Sequence, residues 1–123
     1  MRRYHKSVYF DPKDYSSLQT FTERLNSIKW RYTAHCLDSI KDRAIDLEGL
    51  LLFVKGLKLT LGAIFEYYAD DNSRYIVKAC YRVSYINGLD IILVMNDDKE
   101  IITIYLNSSE DLHYTLRKDL YQK

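Results

Sequence analysis

Backbone breakers are scarce in this chain: one proline and four glycines in 123 residues. That scarcity excludes collagen-like and low-complexity linker architectures. The glycines stand apart, so neither GxGxxG nor a P-loop is present to cradle a phosphate. A GxSxG elbow, an HExxH helix and an EF-hand loop are missing as well. Cysteine occurs only at positions 36 and 80, without a CxxC spacing or paired histidines, which leaves a zinc ion short of ligands. The two thiols read as small buried hydrophobes of a protein kept in a reducing compartment. Long apolar runs are lacking too. The longest, residues 49–54, is far short of the roughly 20 residues of a membrane span. Arg2 and Arg3 lead into Tyr4, His5 and Lys6 without the apolar stretch of a signal peptide. These absences lead us to expect a cytoplasmic protein with no membrane association and no metal or other cofactor.

Charge of one sign is also in short supply, with 18 Lys and Arg against 17 Asp and Glu and a net charge of +1. A strong nucleic-acid binder is usually far more basic. The distribution is less even: residues 1–60 hold 11 basic against 7 acidic side chains, residues 61–123 hold 7 against 10. What the chain has in quantity is apolar surface, 47% of residues, and tyrosine, 12 in all. The first is enough for one core at this length, so a single domain spanning 1–123 is expected. The second suits sheet faces, half-wet surfaces and stacking on unpaired bases.

Along the chain, Asp11-Pro12 reads as a helix start, with Asp11 as cap and Pro12 at the first helical position. Leu18, Phe21, Leu25 and Ile28 then recur at helical spacing to about Lys29. Thr33 caps a second helix carrying Ala34, Leu37 and Ile40, after Trp30-Arg31-Tyr32 interrupts the pattern. Asp46 caps a third over 47–55, and Gly56 is expected to close it with φ above zero. From Leu57 the period changes to that of strands, over 57–69, 74–86, 89–96 and 100–106. Asp70-Asp71-Asn72-Ser73, Asn87-Gly88 and Asn96-Asp97-Asp98-Lys99 are the turns between them. The expected fold is α+β, with N-terminal helices packed on a four-stranded antiparallel meander. Alternation in the second strand places Lys78 and Arg82 on one face with Ile76 and Cys80, and Tyr75, Val77, Ala79, Tyr81 and Val83 on the other. The tail after Asn107 is polar, then weakly helical from about Asp111.

The chemistry left to such a chain uses His, Arg, Lys and Tyr. RNA is cut without a metal when a base takes the 2′-hydroxyl proton, an acid protonates the leaving 5′-oxygen, and a cation steadies the phosphorane. His35 and His113 are candidates for acid and base because imidazole titrates near neutral pH. Arg43, Lys78 and Arg82 are candidates for holding the phosphate, Arg with a bidentate grip. Tyr32, Tyr81 or Tyr114 could stack a base.

The run Tyr32-Thr33-Ala34-His35, followed by Ser39-Ile40-Lys41-Asp42-Arg43-Ala44-Ile45, resembles the BrnT-like, phage-borne branch of the RelE toxins. These belong to the barnase–EndoU–colicin–RelE group of small ribonucleases. The ending Ile101-Ile102-Thr103-Ile104-Tyr105, then Asp111-Leu112-His113-Tyr114-Thr115-Leu116, is similar to their last strand and tail. The resemblance covers residues 30–121 and marks 1–29 as an added helix. It implies a RelE-like fold and metal-independent RNA cleavage, with a partner antitoxin. On the matching positions it implies roles for His35 and Arg43 in the helix motif, Arg82 as a strand cation, and His113 and Thr115 in the tail. Joined to the reading of the residues, this makes His35, His113 and Arg82 the expected catalytic residues and Arg43, Lys78, Tyr32, Tyr81 and Thr115 the expected substrate-binding ones. The near-neutral charge and the many tyrosines keep a second reading open, a catalytically inactive phage-encoded protein that binds and inhibits a host protein.

Overall fold

The first long helix follows from local rules. Asp11 Oδ1 accepts the Lys13 N–H at 2.9 Å and opens a 3-10 turn, Pro12–Asp14, that runs into α1, Tyr15–Asn26. Leu18, Phe21 and Leu25 then fall on one buried stripe. The computed structural model describes residues 2–7, 10–41, 46–86 and 88–108. Two shorter helices follow, α2 (Ala34–Lys41) and α3 (Leu47–Lys55). Thr33 Oγ1 accepts from Cys36 N at 3.1 Å and Asp46 Oδ1 from Gly49 N at 3.1 Å, so both expected caps form. Gly56 closes α3 with φ −88°, an ordinary right-handed value instead of the expected positive one, and its N–H still reaches the last-turn carbonyls.

The strands are β1 (Arg3–Lys6), β2 (Arg31–Tyr32), β3 (Ile64–Asp70), β4 (Ile76–Ser84), β5 (Leu89–Asn96) and β6 (Glu100–Ser108). They form one sheet in the order β1-β3-β4-β5-β6-β2, antiparallel throughout except for β2, which runs parallel to β6. The expected four-stranded antiparallel meander is therefore corrected to a six-stranded mixed sheet. Nor do the helices all precede the strands, because β1 comes before α1 and β2 between α1 and α2. Both added strands are the edges of the sheet. Residues 1–29, expected as an added helix, supply β1 and a helix whose Leu18 and Leu25 belong to the main core.

All three helices contribute to a core on one face of the sheet, with Cys36, Ile40, Leu50 and Val54 meeting Tyr67, Ala79, Tyr81, Leu93, Ile101 and Ile104. Both cysteines are free and buried. The register slips by one residue at Phe65, Val77 and Ile102, each an extra residue in its strand. The slip at Val77 turns Ile76 onto the helix side opposite Ala69, where plain alternation put it on the far face. Gly88 takes φ +74° in the β4–β5 turn, and because Tyr85 N donates to the Leu89 carbonyl at 2.9 Å and Leu89 N to that of Ile86 at 2.9 Å, Ile86 also belongs to the turn expected at Asn87-Gly88.

One buried polar network ties β1, α1 and the β3–β4 turn together. Asp14 is fully buried and accepts from Tyr4 OH at 2.7 Å, Tyr67 OH at 2.5 Å and Arg74 Nη1 at 2.8 Å. Arg74 Nη1 also reaches Asp11 Oδ2 at 3.0 Å. Burial, then Asp14, pushes the Tyr4 phenol up to about 12 and raises that of Tyr67 further. No helix among the described residues is long and apolar enough to cross a membrane.

Candidate active site

The second face of the sheet carries the polar chemistry. Register places His5 opposite Tyr68, Tyr68 opposite Lys78, and Lys78 opposite Asn96. Directly opposed residues point the same way, so the four form a row across β1, β3, β4 and β5. Glu66 and Cys80, opposite each other, form part of the next row on that face.

The row is tightly connected. His5 Nε2 lies 2.6 Å from Glu66 Oε2, and the imidazole stacks on Tyr68 with centroids 4.5 Å apart and planes 19° apart. Lys78 Nζ sits 4.3 Å from the centroid of the same Tyr68 ring, a cation–π contact. Glu66 is buried, and its other oxygen accepts from Cys80 Sγ at 3.4 Å. A carboxylate that holds one ring nitrogen fixes the imidazole's orientation and tautomer, the support a general base needs. Burial, then the Glu66 charge, pushes the Cys80 thiol far above its ordinary range, so it stays protonated and is no nucleophile. Burial, Glu66 and Cys80 in turn raise the Tyr68 phenol. Beside this group lies a cavity of about 310 Å³, lined by Phe65, Glu66, Tyr68, Lys78, Thr103 and Tyr105 among others. That volume is at the lower end of small-ligand sites.

Of the residues expected from the sequence, Lys78 belongs to this row. Arg82 shares its face but is engaged in a buried ion pair. Its Nε lies 2.5 Å from Asp90 Oδ2, both side chains are 7% exposed, and Nη2 donates to the Ser108 carbonyl at 3.2 Å. The guanidinium thus links β4, β5 and β6. Tyr81 is a correction: it lies on the helix side, 0% exposed, its hydroxyl 2.8 Å from Thr22 Oγ1, and no base can stack on it. Its neighbours Lys78 and Arg82 belong to the other face because successive strand residues point oppositely. Tyr32 is half-buried in β2 and packs on the main core, its phenol raised by burial and by Cys36. His35 is exposed on α2, in the helical layer, so the sheet stands between it and Lys78 and Arg82. Arg43, His113, Tyr114 and Thr115 lie outside the described residues.

Sequence reasoning missed His5 and Glu66. The usable signal was the alternation of Glu66 and Tyr68 with Phe65 and Tyr67, which sets a polar face against an apolar one. Nothing local pointed to His5, whose partner is 61 residues away. Among the described residues no set of three His, Cys, Asp or Glu side chains comes together to hold a metal ion. Comparison with known protein families, curated protein sequences and solved structures finds no match for this chain.

Proposed function

We propose that this protein is a metal-independent endoribonuclease whose reaction centre is the sheet face around His5, Glu66 and Lys78. The observation that carries the reading is the 2.6 Å contact between His5 and a buried carboxylate, on a face that also presents the Lys78 ammonium. His5 takes the proton of the 2′-hydroxyl, and its oxygen attacks phosphorus. Glu66 is a positioning residue that holds the imidazole and steadies its charge. Lys78 offsets the charge on the phosphorane. The bond from phosphorus to the 5′-oxygen breaks, that oxygen takes a proton from a phenol lining the cavity, Tyr68 or Tyr105, and a 2′,3′-cyclic phosphate remains. The resemblance of the helix and tail motifs to RelE-type toxins supports the same reaction, though it assigns proton transfer to His35 and His113.

Incubation with mixed cellular RNA in EDTA tests the reading, with His5→Ala, His35→Ala and His113→Ala in parallel. Wild type should leave cyclic-phosphate ends, and His5→Ala should cleave about 10²–10⁴-fold more slowly. His35→Ala should keep its rate. Loss in the His113 or His35 variant with His5→Ala unaffected moves the centre to the motif residues. Intact RNA throughout, beside a working control nuclease, abandons cleavage in favour of the inhibitor that binds a host protein.

A further inference from the structure

We infer that the turn end of the sheet carries a binding path for the backbone of single-stranded RNA, formed by Arg24, Lys29, Arg31 and Lys99 with Tyr75 as its stacking ring. The β3–β4 and β5–β6 turns emerge side by side at this end, where Asp97 N donates to the Val77 carbonyl at 3.1 Å. The C-terminal turn of α1 meets them: Arg24 Nη2 donates to Tyr75 OH at 3.2 Å, and the guanidinium lies 5.8 Å from the ring centroid. On the other side Arg31 N donates to the Lys99 carbonyl at 3.1 Å and Arg31 Nη2 to the Asp98 carbonyl at 3.0 Å. Arg24 is shared by two adjoining cavities. One, of about 450 Å³, is walled by Ser17, Thr20, Phe21, Ser73 and Tyr75. The other, of about 570 Å³, holds Lys29, Arg31 and Lys99.

The cations here differ from the two arginines engaged in buried or half-buried ion pairs. Arg74 is neutralised by Asp11 and Asp14, and Arg82 by Asp90, whereas none of Arg24, Lys29, Arg31 and Lys99 forms an ion pair with a described residue. Asp97 and Asp98 face the same cavity and Asp70 lines the first, its carboxylate held by Ser73, so four positive charges meet three negative ones and a small excess remains. A basic groove beside an exposed aromatic ring is what a single strand requires: phosphates on the cations and an unpaired base on the ring. Tyr75 is 41% exposed, and the hydroxyls of Ser17, Thr20 and Ser73 are donors for phosphate or 2′-hydroxyl oxygens. The path also leads somewhere. Lys78 is opposite Asn96, whose carbonyl accepts from Lys99 N at 3.2 Å across the β5–β6 turn, so that turn joins Lys99 to the row of His5. That delivery of RNA to the sheet face rests on the cleavage reading; the binding path itself does not.

Fluorescence anisotropy with a labelled 12-nucleotide 2′-O-methyl RNA strand tests it, since no 2′-hydroxyl is present to attack and binding is read apart from cleavage. Replacing Arg24, Lys29 and Lys99 together by Ala, all on the surface, should weaken binding at least tenfold and flatten the salt slope by about two. Tyr75→Leu should weaken binding several-fold with the slope unchanged. Circular dichroism verifies that the variants fold. An affinity and slope within twofold of wild type in the triple variant would overturn the path. Equal affinity for a duplex of the same length would overturn its assignment to single strands. Failure of the cleavage assay with these results intact would sink the nuclease and leave the path standing.

Discussion

Replacing Asp14 by Ala removes the acceptor at the centre of the buried network, and the structure sets the scale of the loss. Three donors lose their partner: Tyr67 OH at 2.5 Å, Tyr4 OH at 2.7 Å and Arg74 Nη1 at 2.8 Å. Hydrogen bonds to a charged group contribute about 1.5–3 kcal/mol each. The three do not count equally. Tyr67 is fully buried and keeps only the weak 3.3 Å contact from the Asp11 N–H. The Arg74 side chain is 35% exposed and retains Asp11, so water restores much of what it loses. The sum is about 3–5 kcal/mol, the range for breaking a buried ionic network. For a chain of this length that lowers Tm by roughly 10–20 °C. The assay is urea unfolding followed by far-UV circular dichroism and by the fluorescence of Trp30, the only tryptophan. Arg74→Ala should cost less than Asp14→Ala, because its site is wet. A loss below about 1 kcal/mol for Asp14→Ala, or a larger loss for Arg74→Ala, refutes the claim that the carboxylate organises this corner.

Three more outcomes are expected. Arg82→Ala and Asp90→Ala should each destabilise by about 3–5 kcal/mol, since either leaves a charge behind in a pair 7% exposed, and the double variant should lose much less than their sum by the same unfolding assay. Lys99 holds φ +66° in the β5–β6 turn, so Lys99→Gly should match or exceed wild-type Tm in a thermal melt, and Lys99→Ala should not. On the alkaline side, Tyr4 has its phenol raised from the ordinary value near 10 to about 12. A folded state that keeps this proton longer is stabilised by it below pH 10 and loses that contribution as pH rises to about 12; the urea midpoint should fall between pH 10 and 12, and less steeply in Tyr4→Phe.

The parts of the fold legible in the sequence are those fixed within a few residues. Asp46 and Thr33 cap the helices they precede, and a hairpin forms where Asn87-Gly88 announced one, though with Tyr85 paired to Leu89 its turn is one residue longer than the two that the dipeptide implies, and Ser84 meets Asp90 instead of Ile91. The parts that escaped are fixed at long range. β1 is four residues with no hydrophobic alternation, and it is a strand because β3, more than 60 positions later, offers an unpaired edge. β2 is two residues, shaped by the end of β6. The bulges are harder still. One inserted residue at Val77 reverses the facing of everything before it in the strand, and no local pattern announces it.

The site divides along the same line, and Arg82 shows how one residue in a turn decides it. Alternation put Lys78 and Arg82 on one face, which is where they are. It equally put Tyr81 on the other, so Tyr81 and Lys78 were never able to serve one pocket. The observed hairpin register places Asp90, opposite Ser84, diagonal to Arg82 on the same face, whereas a two-residue turn at Asn87-Gly88 would have set Asp90 opposite Tyr85 and on the other face. A cation whose hairpin neighbour is a carboxylate is neutralised before any ligand arrives, whereas Lys78 faces Tyr68 and Asn96 across its strand. Register alone therefore ranks Lys78 above Arg82 as the group that meets a phosphate. His5 could not be ranked in the same way, because the β1–β3 pairing that brings it to Glu66 exists only once the whole sheet has formed.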